Sequence, residues 1–425
     1  DIVYLTGSTG FIGEIIVKQC EDNGSITKVY CPIREKHGSK GYDRFVAQFG
    51  SYQKTAFIDP SDPLPDDVTL VILNAYAVKF FNDVDVILKQ NVAPMLEILD
   101  QSREAGPRIR GISVVSTAYV QEPLPFKRDA LNRIEFVLKE HTTAFQLYQE
   151  LAHGVTTWPE IEARYADVLS DHHKYNNYAF SKHIMEHVVH EQYASLPICI
   201  VRPTIVAHSR DGQFGHGHKT GFPLFMEIAK KPVLRFPRNE GKLNLVFVED
   251  VANDIVRAAT EMAGPASTSA EGSQFHPIFS SSSGCDLTSI QLLKIGAPTI
   301  LRFDIRHDGI RSLLRQLEIM FIGATAGAKK AKLLELVYKN FDPIMSNEWD
   351  YEETHSFTAP DLEKSVELFF SKQKSDQLKN SSLPDEPLPT ETLTMALSLS
   401  TIVLALLNPK ECLSALAQLV VIFVS

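Results

Sequence analysis

Near the start of the chain, in "DIVYLTGSTGFIGEIIVKQC" (residues 1–20), three glycines recur at every third residue where a short apolar run gives way to a helical pattern. Asp1 to Leu5 read as a buried strand, and Phe11, Ile12, Ile15 and Ile16 recur at helical spacing. Few folds begin this way. In a strand-turn-helix unit the first glycine permits a tight turn, the second lets the backbone approach a ligand, and the third allows close helix-strand packing. The phosphates of such a ligand sit at the helix N-terminus. Gly7, Gly10 and Gly13 are spaced G-x-x-G-x-x-G, one residue wider than the dehydrogenase fingerprint. A plain strand-turn-helix without a ligand would show the same glycines, so the rest of the chain has to decide.

Apolar runs at 68–73, 111–116 and 198–206 read as further buried strands, with helix-length segments such as 84–100 and 178–195 between them. This alternation predicts an α/β fold, a Rossmann-type doubly wound parallel sheet covered by helices on both faces. Residues 207–245 lose the rhythm and suit a loop over a ligand, and a second irregular, Ser-rich stretch runs from 264 to 285. Residues 309–342 read as mainly helical. The expected organisation is a dinucleotide-binding domain over 1–300, with a smaller substrate lobe from about 207–245 and 264–300. A helical region over 301–378, a polar linker over 379–392 and an apolar tail over 393–425 follow. The tail holds 15 uncharged residues from Leu393 to Leu407, and its apolar character resumes from Cys412 to Ser425. Neither half reaches the roughly 20 residues that span a bilayer. A membrane-inserted hairpin or interfacial anchor is the expectation, against a packed helical pair or a mistranslated end.

Among 425 residues, 42 Lys and Arg against 52 Asp and Glu give a net charge of -10. That balance offers no basic field for nucleic acid. Five scattered cysteines without a C-x-x-C pair suit reduced thiols in a cytosol-facing protein, so neither disulfides nor structural zinc are expected. A strand begins at once, with no initiator methionine and no signal peptide, which reads as a fragment lacking its natural start.

The segment "YNNYAFSK" contains Tyr178 and Lys182, spaced so that both lie on one face of a helix. A tyrosine with a pKa of about 10 is a sluggish acid-base group at neutral pH, and a nearby cation stabilises its phenolate. Two solvated side chains on a helix surface would fit the same spacing. Ser116 and Thr117 fall at the C-terminal end of the 111–116 run, where ligands sit in open parallel sheets. A hydroxyl there can bond a substrate carbonyl oxygen, or merely cap a strand end. Thr117 is the first choice. His216 and His218 lack a third ligand, and no metal is expected.

In this order, "TGSTGFIGE", "STAYV", "YAFSK", "IVRPTIV" and "LVFVEDVAN" resemble the extended short-chain dehydrogenase/reductase superfamily. Within it they are most similar to the fatty acyl-CoA reductases, the male-sterility family, whose pattern is close to that of thioester reductase domains. The stretch 75–100, with its Asn-Val helix, strengthens the likeness, which covers roughly residues 1–290. A weaker echo lies at 349–365.

The resemblance implies that Gly7, Ser8, Thr9, Gly10, Phe11, Ile12 and Gly13 hold dinucleotide phosphates, and that Thr117, Tyr178 and Lys182 form the catalytic group, with Tyr178 and Lys182 also meeting the cofactor. It places Arg34 at the 2′-phosphate of NADPH, in agreement with the suitability of a guanidinium for that group. Arg34 also reads as a solvated surface charge. Asp59 resembles an adenine-side aspartate, or a turn-forming Asp beside Pro60. The chain departs from the family at Leu73, usually histidine, at Tyr76, usually a small residue beside the cofactor, and in the loop after Pro203. The implied activity is NADPH-dependent reduction of an acyl-CoA or other acyl thioester to aldehyde, and in some members to alcohol. Membrane association through the tail, at the endoplasmic reticulum or peroxisome, accompanies that expectation. Reduction or epimerisation of a sterol, flavonoid or nucleotide sugar, and non-catalytic dinucleotide binding, are the alternatives.

Overall fold

The computed structural model describes residues 1–35, 41–50, 52–77, 82–120, 136–170, 173–174, 176–214, 244–262, 278–280 and 354–380, with scattered positions between 312 and 335. In chain order β1 (Ile2–Thr6), α1 (Phe11–Asp22), β2 (Lys28–Pro32), α2 (Gly41–Phe49), β3 (Thr55–Ile58) and β4 (Leu70–Leu73) form the first half. Helix α3 (Val84–Ile87) passes through a π-helical turn, Leu88–Val92, into α4 (Ala93–Glu104) and β5 (Gly111–Val115). Then come α5 (Ala144–Ala152), α6 (Trp158–Arg164), α7 (Asn177–Tyr193), β6 (Ile198–Pro203), β7 (Ile205–Ala207), β8 (Leu245–Phe247), α8 (Val248–Arg257), β9 (Ile278–Ser280) and α9 (Ala359–Asn380).

Seven strands lie in the order β3-β2-β1-β4-β5-β6-β9, each parallel to its neighbours. Side chains alternate between the two faces at period two. Val3, Leu5, Ile72 and Val201 pack on the side of α1 and α8, with Ile15, Ile16, Val251 and Ile255. Tyr4, Val71, Val114 and Ile200 face the other way, toward Leu96, Leu147 and Ile184 of α4, α5 and α7. Burial on both faces explains why these strands read as continuous apolar runs. Strand order reverses between β1 and β4, and the crevice at their carboxyl ends is where such sheets bind ligands.

Three expectations are corrected. The run 198–206 is not one strand, because Pro203 has no N–H to donate and the chain changes partners there. β6 pairs with β5 and β9, whereas β7 pairs with β8 in a separate two-stranded sheet. The helix expected over 84–100 runs on to Glu104 and contains the π-turn, just before Pro94. Helix α9 extends two residues into the segment expected to be linker, and it packs on His208, the residue after β7, whose ring lies 4.8 Å from that of Phe369. Most of 215–243, 263–300 and 301–350 lies outside the described residues, as does all of 381–425. The substrate lobe, the tail and residues His216 and His218 therefore stand as sequence expectations. No described helix is long and apolar enough to cross a membrane. Cys20, Cys31 and Cys199 are buried free thiols.

Arg202 and Glu186 are buried between β6 and α7, each 1% exposed, with Arg202 Nε at 3.0 and 3.1 Å from the two carboxylate oxygens. Removing one member of such a pair leaves an uncompensated buried charge, at a cost of about 3–5 kcal/mol. Arg202→Met should therefore lower the urea midpoint by a corresponding amount, and the double variant with Glu186→Leu should recover most of the loss.

Candidate active site

Local geometry explains the glycines. Gly7 has φ +72°, and a Cβ there would stand 2.8 Å from the backbone of Ala75, so both the left-handed turn and the approach of the β4 exit require glycine. A Cβ on Gly13 would meet the Gly7 carbonyl oxygen at 2.0 Å. Gly10 is the N-cap of α1 and supplies no side-chain cap, which leaves that helix end open to an anion. Ser8 is buried, and Phe11 and Ile12 turn their side chains into the core, so this loop offers a ligand its backbone. Thr6 ties the turn to the β4 exit, its Oγ1 accepting from the Asn74 and Ala75 amides at 3.0 Å each.

A cleft of about 440 Å³ opens beside this turn, between the ends of β1 and β4 and the π-turn. Thr6, Leu73, Ala75, Tyr76 and Arg34 line it. Arg34 is exposed at the end of β2, on the cleft rather than on a remote surface. Asp59 is committed to a turn, with its Oδ1 accepting from the Ser61 amide at 2.9 Å and the Ser61 hydroxyl at 2.6 Å. These bonds hold its carboxyl below the usual range, and it is not among the residues lining the cleft.

Lys182 and Tyr178 lie one turn apart on α7, and α7 brings Lys182 to the end of β5. The Lys182 ammonium donates to the Val115 carbonyl at 2.5 Å, immediately before Ser116 and Thr117. Both hydroxyl residues are buried, and the Ser116 Oγ has no hydrogen-bond partner among the described residues. A buried polar atom of this kind is costly unless something meets it. Burial brings Lys182 down to about 7, opposed by the Glu186 carboxylate. Tyr178 shifts the other way. The sequence suggested that the lysine lowers the phenol's pKa, but burial of the ring dominates and raises it. Tyr178 thus holds its proton and is a donor in the resting site.

Sequence reasoning missed several residues that build this site. Asn91, in the π-turn, accepts from the Ala77 amide at 2.7 Å and so fixes the loop after β4. Ser181 receives the Tyr76 hydroxyl at 2.8 Å. The Tyr76 ring stands 3.6 Å above the Lys182 nitrogen and edge-on to the Tyr178 ring, at 5.6 Å and 84°. The Asn-Val pair at 91–92 and the unusual Tyr76 carried a sequence signal. Among the described residues no group of three or more His, Cys, Asp or Glu is placed to hold a metal.

The family model described as male sterility protein, an NAD-binding domain, matches residues 5–58 and 61–255, more than half of the chain. The chain belongs to this male-sterility family. Fatty acyl-CoA reductase wat of Drosophila melanogaster is 25% identical over 232 residues, covering 48% of this chain and 42% of that protein. A putative fatty acyl-CoA reductase of the same organism, CG8303, is 21% identical over 231 residues, covering 48% and 40%. The matches thus span less than half the length of these relatives. Two solved reductase domains share the fold. The terminal R domain of the myxalamid PKS-NRPS pathway has a TM-score of 0.57 at 17% identity, covering 90% of this chain and 91% of that one. The PhqB reductase domain of Penicillium fellutanum has a TM-score of 0.53 at 13% identity, covering 90% and 94%.

For this male-sterility domain the glycine turn, the open end of α1 and the unpartnered Ser116 hydroxyl fit a nicotinamide dinucleotide. Gly13→Ala should push α1 away from the Gly7 carbonyl, with a loss of about 1–3 kcal/mol in stability and a weaker dinucleotide complex. Thermal melts with and without NADPH would show both effects. Unchanged values in both would contradict the packing described.

Proposed function

We propose that the protein reduces a fatty acyl thioester, acyl-CoA first, with NADPH as the reductant. The observation that carries this reading is the convergence at the end of β5, where Lys182 is bonded to Val115 beside Ser116 and Thr117 and the protonated Tyr178 lies one helical turn away. When bound, the nicotinamide supplies a hydride to the thioester carbonyl carbon. Tyr178 donates its proton to the carbonyl oxygen as negative charge develops there, and Thr117 adds a hydrogen bond to the same oxygen. Lys182 holds the nicotinamide ribose. Collapse of the resulting hemithioacetal breaks the C–S bond, releasing the thiol and an aldehyde, and a second reduction gives the alcohol. Similarity to acyl-CoA reductases in sequence, and to reductase domains in fold, supports this substrate class.

Palmitoyl-CoA should stimulate NADPH oxidation, with hexadecanal or hexadecanol identified by mass spectrometry. Tyr178→Phe should keep NADPH binding and lose about 10²- to 10⁴-fold in turnover, the usual contribution of a positioned acid. Activity within about threefold of wild type would move the proton to another residue.

Arg34 is proposed to meet the 2′-phosphate through its guanidinium fork, a contact that NADH cannot use. Hydrogen bonds to charged groups are worth about 1.5–3 kcal/mol, or roughly 10- to 150-fold in affinity. Arg34→Ala should weaken NADPH by that amount and leave NADH nearly unchanged in fluorescence titrations at fixed ionic strength. Equal losses for both cofactors would mean damage to the fold, and no loss for either would leave the choice of NADPH without this residue.

A further inference from the structure

Tyr76 is held at three points, all on α7. Its ring face lies 3.6 Å from the Lys182 nitrogen, its hydroxyl donates to Ser181 Oγ at 2.8 Å, and its edge meets the Tyr178 ring at 5.6 Å. Ser181 in turn donates to the Tyr178 carbonyl at 2.7 Å, so the hydroxyl is anchored to a group that is itself fixed. A lysine ammonium has three donors. One is spent on the Val115 carbonyl, and the aromatic face closes a second direction by a cation–π contact. The main chain on either side is pinned, with the Ala75 amide on Thr6 Oγ1 at 3.0 Å and the Ala77 amide on Asn91 Oδ1 at 2.7 Å. The ring therefore leaves the lysine by side-chain rotation and not by loop movement.

We propose that Tyr76 is an affinity-determining gate on the catalytic lysine, whose ring takes the face of Lys182 that the nicotinamide ribose needs and must rotate away before the reducing half of the dinucleotide can seat. The proposal rests on the reading that Lys182 holds that ribose. Its consequence is that the two halves of the cofactor bind under different constraints. The adenosine half meets the Arg34 cleft directly, whereas the nicotinamide half displaces a desolvated cation–π contact and a hydrogen bond.

The test compares wild type with Tyr76→Ala and Tyr76→Phe. By calorimetry, Tyr76→Ala should bind NADPH about tenfold or more tightly, because a desolvated cation–π contact no longer has to be broken. Tyr76→Phe keeps the ring and loses only its anchor on Ser181, so it should gain about threefold to fivefold. Binding of 2′,5′-ADP, which carries the 2′-phosphate but no nicotinamide ribose, should change much less than NADPH binding in both variants, although Tyr76 lines the same cleft as Arg34, and also reports that the fold is intact. A covalent readout stands apart from affinity. Acetic anhydride followed by peptide mass spectrometry should leave Lys182 protected in wild type and modified in Tyr76→Ala, with NADPH restoring protection. NADPH binding that is equal or weaker in Tyr76→Ala, with 2′,5′-ADP unchanged, would overturn the gate while leaving the dinucleotide reading in place. NADPH and NADH binding to none of the three proteins would overturn both.

Discussion

A line of buried charge fastens helix α7 to the sheet, and the candidate site depends on it. Lys182 bonds the end of β5, and Glu186, one turn further along the same helix, bonds Arg202 of β6. Taking such groups out of water costs several kcal/mol per ion and is tolerated only where each finds a partner. That requirement sets the rotation and register of α7. Turned by one residue, about 100°, the helix would press ammonium and carboxylate into the aliphatic layer formed by Val71, Val114 and Ile200. With the helix held in this register, Tyr178 lies one turn before the lysine that meets the end of β5. The same burial fixes the chemistry of the pair, depressing the lysine and raising the tyrosine.

A second constraint comes from the close approach of two chain segments at the point where strand order reverses. Gly7 and Ala75 lie so near that only a residue without Cβ fits, and Thr6 bridges them. One contact thereby shapes the glycine turn and places the loop that carries Tyr76 over α7. Asn91 completes the arrangement from the π-turn, which joins the cleft wall to the same loop. Glycine turn, cleft and helix α7 are thus connected through residues 74–77.

Much of the site was legible in the primary structure. Gly7, Gly10 and Gly13 predicted a tight turn, whose requirement for glycine shows in the distances at Gly7 and Gly13, and the four-residue spacing of Tyr178 and Lys182 placed them on one helix. Strands at 68–73 and 111–116 showed as apolar runs because both faces of the parallel sheet are covered. The run 198–206 misled for the same reason, since apolarity reports burial without saying which neighbour a strand pairs with. Asp59 was read two ways, and local hydrogen bonds with Ser61 give it the turn role.

By itself, the sequence determined the α/β alternation, the glycine turn and the types and local spacing of the candidate site's side chains. These follow from periodicity and steric limits acting over a few residues. Only the tertiary structure decided that Tyr76 stands on Lys182, that Glu186 pairs with Arg202 and that burial, rather than the neighbouring lysine, governs Tyr178. Each of these depends on desolvation and on contacts between distant parts of the chain, with 105 residues separating Tyr76 from Ser181. A side chain's identity states what it can bond to, and the fold alone states what is left beside it when water is removed.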